Sequence, residues 1–171
     1  MDKYSRETKS GGGMNKDATV NLIDFLPEPA VAVELKSQNK KEVLRELVQI
    51  LCAAHGIKNS ASILDALLER EDLGSTGIGQ GIAIPHGKSD SAGKIVAALG
   101  ISKRGIDFDA LDGEPVYIFF MLVAPSNSSG IHLKILAKIS RLLKDKFFRQ
   151  SLRETKSAQE SLKLIKDENE Y

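Results

Sequence analysis

Val116-Tyr117-Ile118-Phe119-Phe120-Met121-Leu122-Val123-Ala124 is a run of nine apolar or aromatic residues with no polar interruption. A strand with one wet face alternates polar and apolar residues, so an unbroken run belongs to a strand covered on both faces. Helices on each side of a sheet provide that cover. The run is about half of what a membrane-spanning helix needs. It therefore predicts a central strand, and the fold class is α/β (α+β): a single three-layer α/β/α domain with a mixed β-sheet flanked by helices. A chain of 171 residues, 42% hydrophobic and 27% charged, suffices for one such domain with a sizeable core.

Residues 1–17 are polar and aperiodic around Gly11-Gly12-Gly13 and are expected to be a disordered N-terminal tail, leaving 18–171 as the domain. Ala30–Leu35 reads as a strand. Val43, Leu44, Leu47, Val48 and Leu51 recur at helical spacing, and that helix ends at His55-Gly56. A second helix opens at Asn59 or Ser60, carries Ile63, Leu64, Leu67 and Leu68, and closes near Leu73-Gly74. Ile82–Ile84 and Lys94–Ser102 read as further strands, and Asp112-Gly113 marks a turn before the central run. A helix is expected over 131–144, a short segment around Phe147–Leu152, and a last helix opened by the capping-box pattern Ser157-Ala158-Gln159-Glu160.

Twenty-four basic residues against twenty-three acidic ones leave a net charge of +1, so no global field recommends nucleic acid or an anionic membrane surface. No signal-peptide pattern opens the chain, and the protein is expected to be cytoplasmic, with no direct membrane insertion. Cys52 is the only cysteine and excludes an intrachain disulfide; it reads as core.

The chemistry concentrates in Gly79-Gln80-Gly81-Ile82-Ala83-Ile84-Pro85-His86-Gly87-Lys88. Pro85 keeps Ile84 extended and, lacking an N–H, is expected to end the strand's ladder, so that the His86 ring emerges at its edge. Gly87 carries no side chain, which is expected to let a partner's backbone or a bulky anion approach the imidazole. His132 falls in the first turn of its helix, where a protonated imidazole is disfavoured and N–H groups attract anions. Its spacing to Ile135, Leu136 and Ile139 puts it on the stripe facing the sheet. Arg70 lies beside the apolar stripe of the second helix, just ahead of Gly74-Ser75-Thr76-Gly77. Alone, His86 reads as a loop histidine, His132 as a core histidine and Arg70 as a solvated charge. Together, a guanidinium, the Ser75 and Thr76 hydroxyls and nearby amides beside an imidazole make a pocket suited to a phosphoryl group. His55, before the C-capping Gly56, reads as structural.

Nucleotide and metal readings fail on spacing. From Gly81 to Gly87-Lys88-Ser89 five residues intervene where a Walker A loop needs four, and neither glycine pair continues into a dinucleotide fingerprint. No paired metal-ligand spacing involves the three histidines. No cofactor and no metal are expected.

Arg70-Glu71-Asp72-Leu73-Gly74-Ser75-Thr76-Gly77-Ile78-Gly79-Gln80-Gly81-Ile82-Ala83-Ile84-Pro85-His86-Gly87 resembles the signature of the type 2 enzyme IIA domains of the bacterial phosphoenolpyruvate-dependent sugar phosphotransferase system, the fructose/mannitol family. Ile131-His132-Leu133-Lys134-Ile135-Leu136 resembles the family's second histidine-bearing helix, and the likeness runs from about Ala18 to Ile165. The resemblance implies a phosphotransferase acting as a phosphoryl carrier, with His86 as the phosphorylated histidine, His132 as the second active-site histidine and Arg70 beside the phosphoryl group. It implies that the carrier HPr, or its nitrogen paralogue, donates the group and that an enzyme IIB takes it, with Nε2 as the phosphorylated nitrogen. Phe120–Pro125 and His132–Ala137 lean toward the fructose type of sugar uptake. The alternative is a nitrogen-regulatory paralogue whose phosphorylation state controls partner proteins. A binding module that has kept the motif without transferring phosphate is a third reading, disfavoured by the presence of all three residues.

Overall fold

The computed structural model describes residues 20–169; the expected tail, residues 1–17, lies outside them. Among the described residues, six strands form one sheet: β1 Val31–Ala32, β2 Gly77–Gly79, β3 Ile82–Ala83, β4 His86–Lys88, β5 Val96–Ile106 and β6 Val116–Ala124. Five α-helices surround it: α1 Lys40–His55, α2 Ser60–Asp72, α3 Ser129–Leu142, α4 Lys146–Arg153 and α5 Ala158–Asn169.

The sheet runs β1-β5-β6-β3-β2, with β4 also paired to β6. β5 and β6 are antiparallel, β3 and β4 run parallel to β6, β1 runs parallel to β5, and β2 is antiparallel to β3. The sheet is therefore mixed, with the nine-residue apolar run at its centre. Phe119 and Phe120, neighbours whose side chains point to opposite faces, are both buried, so both faces are covered. α1 packs along β5, α2 against β4, and α3 and α4 against β6.

Caps set the helix limits. The Asn39 side chain accepts from the Glu42 N–H at the start of α1, and Gly56 at φ 69° ends that helix in the left-handed conformation. Asn59 accepts from the Ser62 N–H to open α2. Cys52 is buried in α1, and burial pushes its thiol pKa up. His55 donates or accepts through Nε2 at 2.9 Å from the Ala97 oxygen; because a carbonyl can only accept, the ring donates and ties α1 to β5.

Three expectations need correction. The strand anticipated at Ala30–Leu35 shrinks to Val31–Ala32: Ala30 belongs to the 3-10 turn Glu28–Ala30, and after Ala32 the chain rejoins the sheet only at Leu35, whose N–H donates to the Ile101 oxygen at 2.8 Å. β5 extends four residues past the expected Ser102. Most consequential for function, Pro85 does not end the ladder. β3 pairs with β6 before it, β4 pairs with the same strand after it, and the Pro85 carbonyl itself accepts from the Leu122 N–H at 2.9 Å. A proline costs the ladder its donor but leaves its acceptor, and here only the acceptor faces β6.

Candidate active site

β4 places His86 opposite Leu122 of the central strand. The ring is half-buried, and its Nδ1 lies 2.8 Å from the Ile84 oxygen. That carbonyl can only accept, so Nδ1 carries the proton and Nε2 of the neutral ring holds the lone pair. Burial lowers the His86 pKa below its ordinary value; the Ile84 bond opposes this, and the positive charge of Arg70 adds to the lowering. The ring is neutral at pH 7.

Gly87 has a different reason from the one expected. A Cβ there would come within 3.1 Å of the Ala66 oxygen in α2. The missing side chain is what lets α2 lie against β4, and the space is filled by the helix rather than open to a partner. The close approach carries the end of α2, and Arg70 with it, toward His86.

His132 faces His86 from α3, ring centroids 5.8 Å apart and inclined at 66°. Only 4% of it is exposed, on the same stripe as the buried Ile135 and Ile139. Its pKa is pushed down to about 4, chiefly by burial and then by His86 and Lys88. Its Nε2 is buried and has no hydrogen-bond partner among the described residues. A buried polar nitrogen of this kind costs stability unless something else offers it a partner.

Arg70 is fixed rather than floating. Its Nη1 donates to the Gly74 oxygen at 2.8 Å, folding the guanidinium over the turn that follows α2. That turn is held from beneath by Glu71, a carboxylate that follows Arg70 in the chain. Glu71 is 8% exposed. It accepts from the Thr76 N–H at 3.2 Å and from the Thr76 hydroxyl, and it pairs with Lys40 at 3.1 Å. Lys40 also lies 4.8 Å from the centre of the Phe108 ring. The signal was present in the sequence: Glu71 follows Ile63 and Leu67 by eight and four residues, on the buried stripe of α2.

Ser75 and Thr76 do not bring their hydroxyls to this cluster. Thr76 is buried and spends its hydroxyl on Glu71, while the Ser75 hydroxyl donates to the Phe108 oxygen at 3.0 Å. His86, His132 and Arg70 remain. They form a site with a directed lone pair, an unspent buried nitrogen and a fixed guanidinium, next to Lys88. Both imidazoles are neutral, and the Arg70 and Lys88 side chains stand beside them, so the site favours an anion.

Exposed apolar side chains border these elements: Leu73 beyond α2, and Ile131 and Leu133 flanking His132. Among the described residues, no helix is long and apolar enough to cross a membrane.

Residues 24–168 match the family model described as phosphoenolpyruvate-dependent sugar phosphotransferase system, EIIA 2. A nitrogen regulatory protein of Bradyrhizobium diazoefficiens is 39% identical over 138 residues, spanning 81% of this chain and 90% of that protein. The fructose-specific EIIA component of a phosphotransferase system in Haloferax volcanii is 37% identical over 139 residues, 81% of this chain and 90% of its own length. The crystal structure of nitrogen regulatory protein IIA-Ntr from Neisseria meningitidis superposes with a TM-score of 0.78 at 33% identity, covering 83% of this chain and 97% of that one. A match across most of the described chain, with a shared mixed sheet and five helices, leads to one assignment: the chain belongs to the EIIA type 2 family of the phosphoenolpyruvate-dependent sugar phosphotransferase system.

Proposed function

We propose that His86 accepts a phosphoryl group on Nε2 from a phosphohistidine carrier, HPr or its nitrogen paralogue, and passes it to an enzyme IIB. The observation that carries this reading is the bond from Nδ1 to the Ile84 oxygen, which fixes the tautomer and leaves Nε2 as the nucleophile.

In the accepting step the donor's N–P bond breaks as the His86 Nε2–P bond forms, and the donor imidazole keeps the electron pair. Nε2 has no proton to lose, and Nδ1–H stays on the Ile84 carbonyl. No general base is needed. The phosphoryl group passes in line between two nitrogens with charge spread over its three equatorial oxygens. Arg70 can donate to one of them, and the unpartnered His132 Nε2 can supply a second contact if it carries the ring proton. Losing one such donor costs about 2.7–4 kcal/mol of barrier if it behaves like an oxyanion-hole group. Exposed Leu73, Ile131 and Leu133 supply apolar area for protein partners beside the reacting nitrogen.

Two roles share this chemistry. Fructose-type sugar uptake is supported by the 37% identical fructose-specific component, and a nitrogen-regulatory role by the 39% identical regulatory protein and the Neisseria structure. Incubating the chain with phosphoenolpyruvate, enzyme I and either the sugar-type or the nitrogen-type carrier separates them by the donor that labels faster. The phosphate should be acid-labile and base-stable, one per chain, and absent from His86→Ala. Failure of both carriers to label the wild type would sink the phosphocarrier reading.

A further inference from the structure

β6 has a second end. Tyr117 and Ile118 lie five and four residues before Leu122, about 13–17 Å along the strand from the His86 register. There the sheet, α4 and the turn at Gln80-Gly81 enclose a cavity of about 500 Å³. Lys103, Lys146, Arg149 and Arg153 line it, against one carboxylate, Glu154. Among the described residues, none of the four cations lies within 4 Å of a carboxylate oxygen.

Part of that charge is accounted for by helix ends. Lys103 Nζ donates to the Arg153 and Thr155 oxygens at 3.2 and 3.4 Å, at the end of α4. Arg149 Nη1 donates to the Leu143 and Lys144 oxygens at 3.0 and 2.7 Å, at the end of α3. Each helix end carries roughly half a negative charge. Setting two such ends and Glu154 against four cations leaves about two positive charges without a counterpart.

Three of the four cations are also held in place. Lys103 and Arg149 are tied to carbonyls, and the Arg153 guanidinium stacks 3.7 Å from the centre of the Tyr117 ring. Immobilised donors lose less entropy when they grip a ligand than free side chains do. Arg149 still has donors beyond the nitrogen that caps α3. The cavity has the size of a small-molecule site, larger than a lone phosphate fills, and the partly exposed Tyr117 ring, beside the Arg153 guanidinium stacked on it, offers apolar surface to an organic body.

We propose that this cavity binds a small organic phosphate monoester, with the dianionic group between Arg149, Arg153 and Lys146 and the organic part toward Tyr117. It is separate from the His86 site and does not depend on what that site does. Nucleic acid is disfavoured, because the cationic surface is a bounded concavity on a chain with a net charge of only +1.

The test is an NMR titration of the full chain with phenyl phosphate at pH 7.5, with phenol as the uncharged control. Saturable amide shifts are expected at Gly81, Lys103, Tyr117 and Gln150, with phenol binding at least about tenfold weaker. Lys146→Gln, an exposed side chain, and Arg153→Gln should each weaken phenyl phosphate several-fold while leaving the rest of the spectrum in place. No saturable shift, shifts confined to Gly87 and Leu122 beside His86, or wild-type affinity in both variants would overturn the proposal. So would a duplex oligonucleotide binding the same residues more tightly than phenyl phosphate at 150 mM salt.

Discussion

His86 and His132 face one another across 5.8 Å, yet their settings have little in common. The first stands on a strand, half-buried, with one nitrogen tied to a carbonyl and the other left with its lone pair. The second stands on a helix, almost wholly buried, with a nitrogen that has nothing to bond among the described residues. An acceptor must be reachable and must have a defined tautomer. A stabilising group must instead keep a polar atom unspent until charge arrives. In the proposed transfer the same side chain would serve either task, and the element carrying it would decide which.

Replacement should separate the two. His86→Ala should lose all phosphohistidine, whereas His132→Ala should still be labelled but about 10²–10³-fold more slowly by rapid-quench kinetics. His132→Gln, which keeps an N–H, should recover part of that loss. Equal and total loss in both variants would erase the distinction drawn between them.

The next largest effect concerns the support beneath Arg70. Glu71→Gln leaves Lys40 without its buried partner and should cost about 2–3 kcal/mol in urea unfolding, while the transfer rate falls because the Arg70 turn loosens. Unchanged stability would show that the network beneath the site is ornamental.

A pH series tests burial. A folded-state His132 pKa of about 4, below the ordinary 6.5, means that the unfolded chain binds the extra proton first. Stability is therefore complete above about 6.5 and declines as pH falls toward about 4. Between pH 7 and 5 the contribution of this one ring should be about 1 kcal/mol, after allowing for solvent around the site. His132→Gln should flatten that part of the curve. The smallest effect expected is that of Ser75→Ala, whose transfer rate should stay within about twofold, because its hydroxyl serves the Phe108 carbonyl and not the phosphoryl group.

The parts legible in the sequence were those written in local pattern. The apolar run at 116–124 became β6 residue for residue, and Asn59 and Gly56 marked helix limits through their own side chain or its absence. His86, His132 and Arg70 could be named because their types and neighbours carry chemistry. What stayed hidden depended on partners far along the chain. Gly87 answers to Ala66 twenty-one residues earlier, and the Ser75 hydroxyl goes to Phe108 thirty-three residues later. Pro85 was misread because its effect on a ladder depends on which side the neighbouring strand lies, which the sequence does not show. Glu71 is a different case: it stands in a row of four charges, and only its spacing from Ile63 and Leu67 marks it as buried.

The unbroken seating of the chain against β6 on both sides of Pro85 has a mechanical meaning. In the proposed transfer, the accepting nitrogen stands on a strand paired to the central strand of the sheet, so delivering or collecting the group would ask for no swinging arm and no closing flap on this side. On the proposed carrier role, the domain would behave as a fixed terminal that successive partners touch and leave. Throughput along such a relay is then governed by how often and how well those partners meet it.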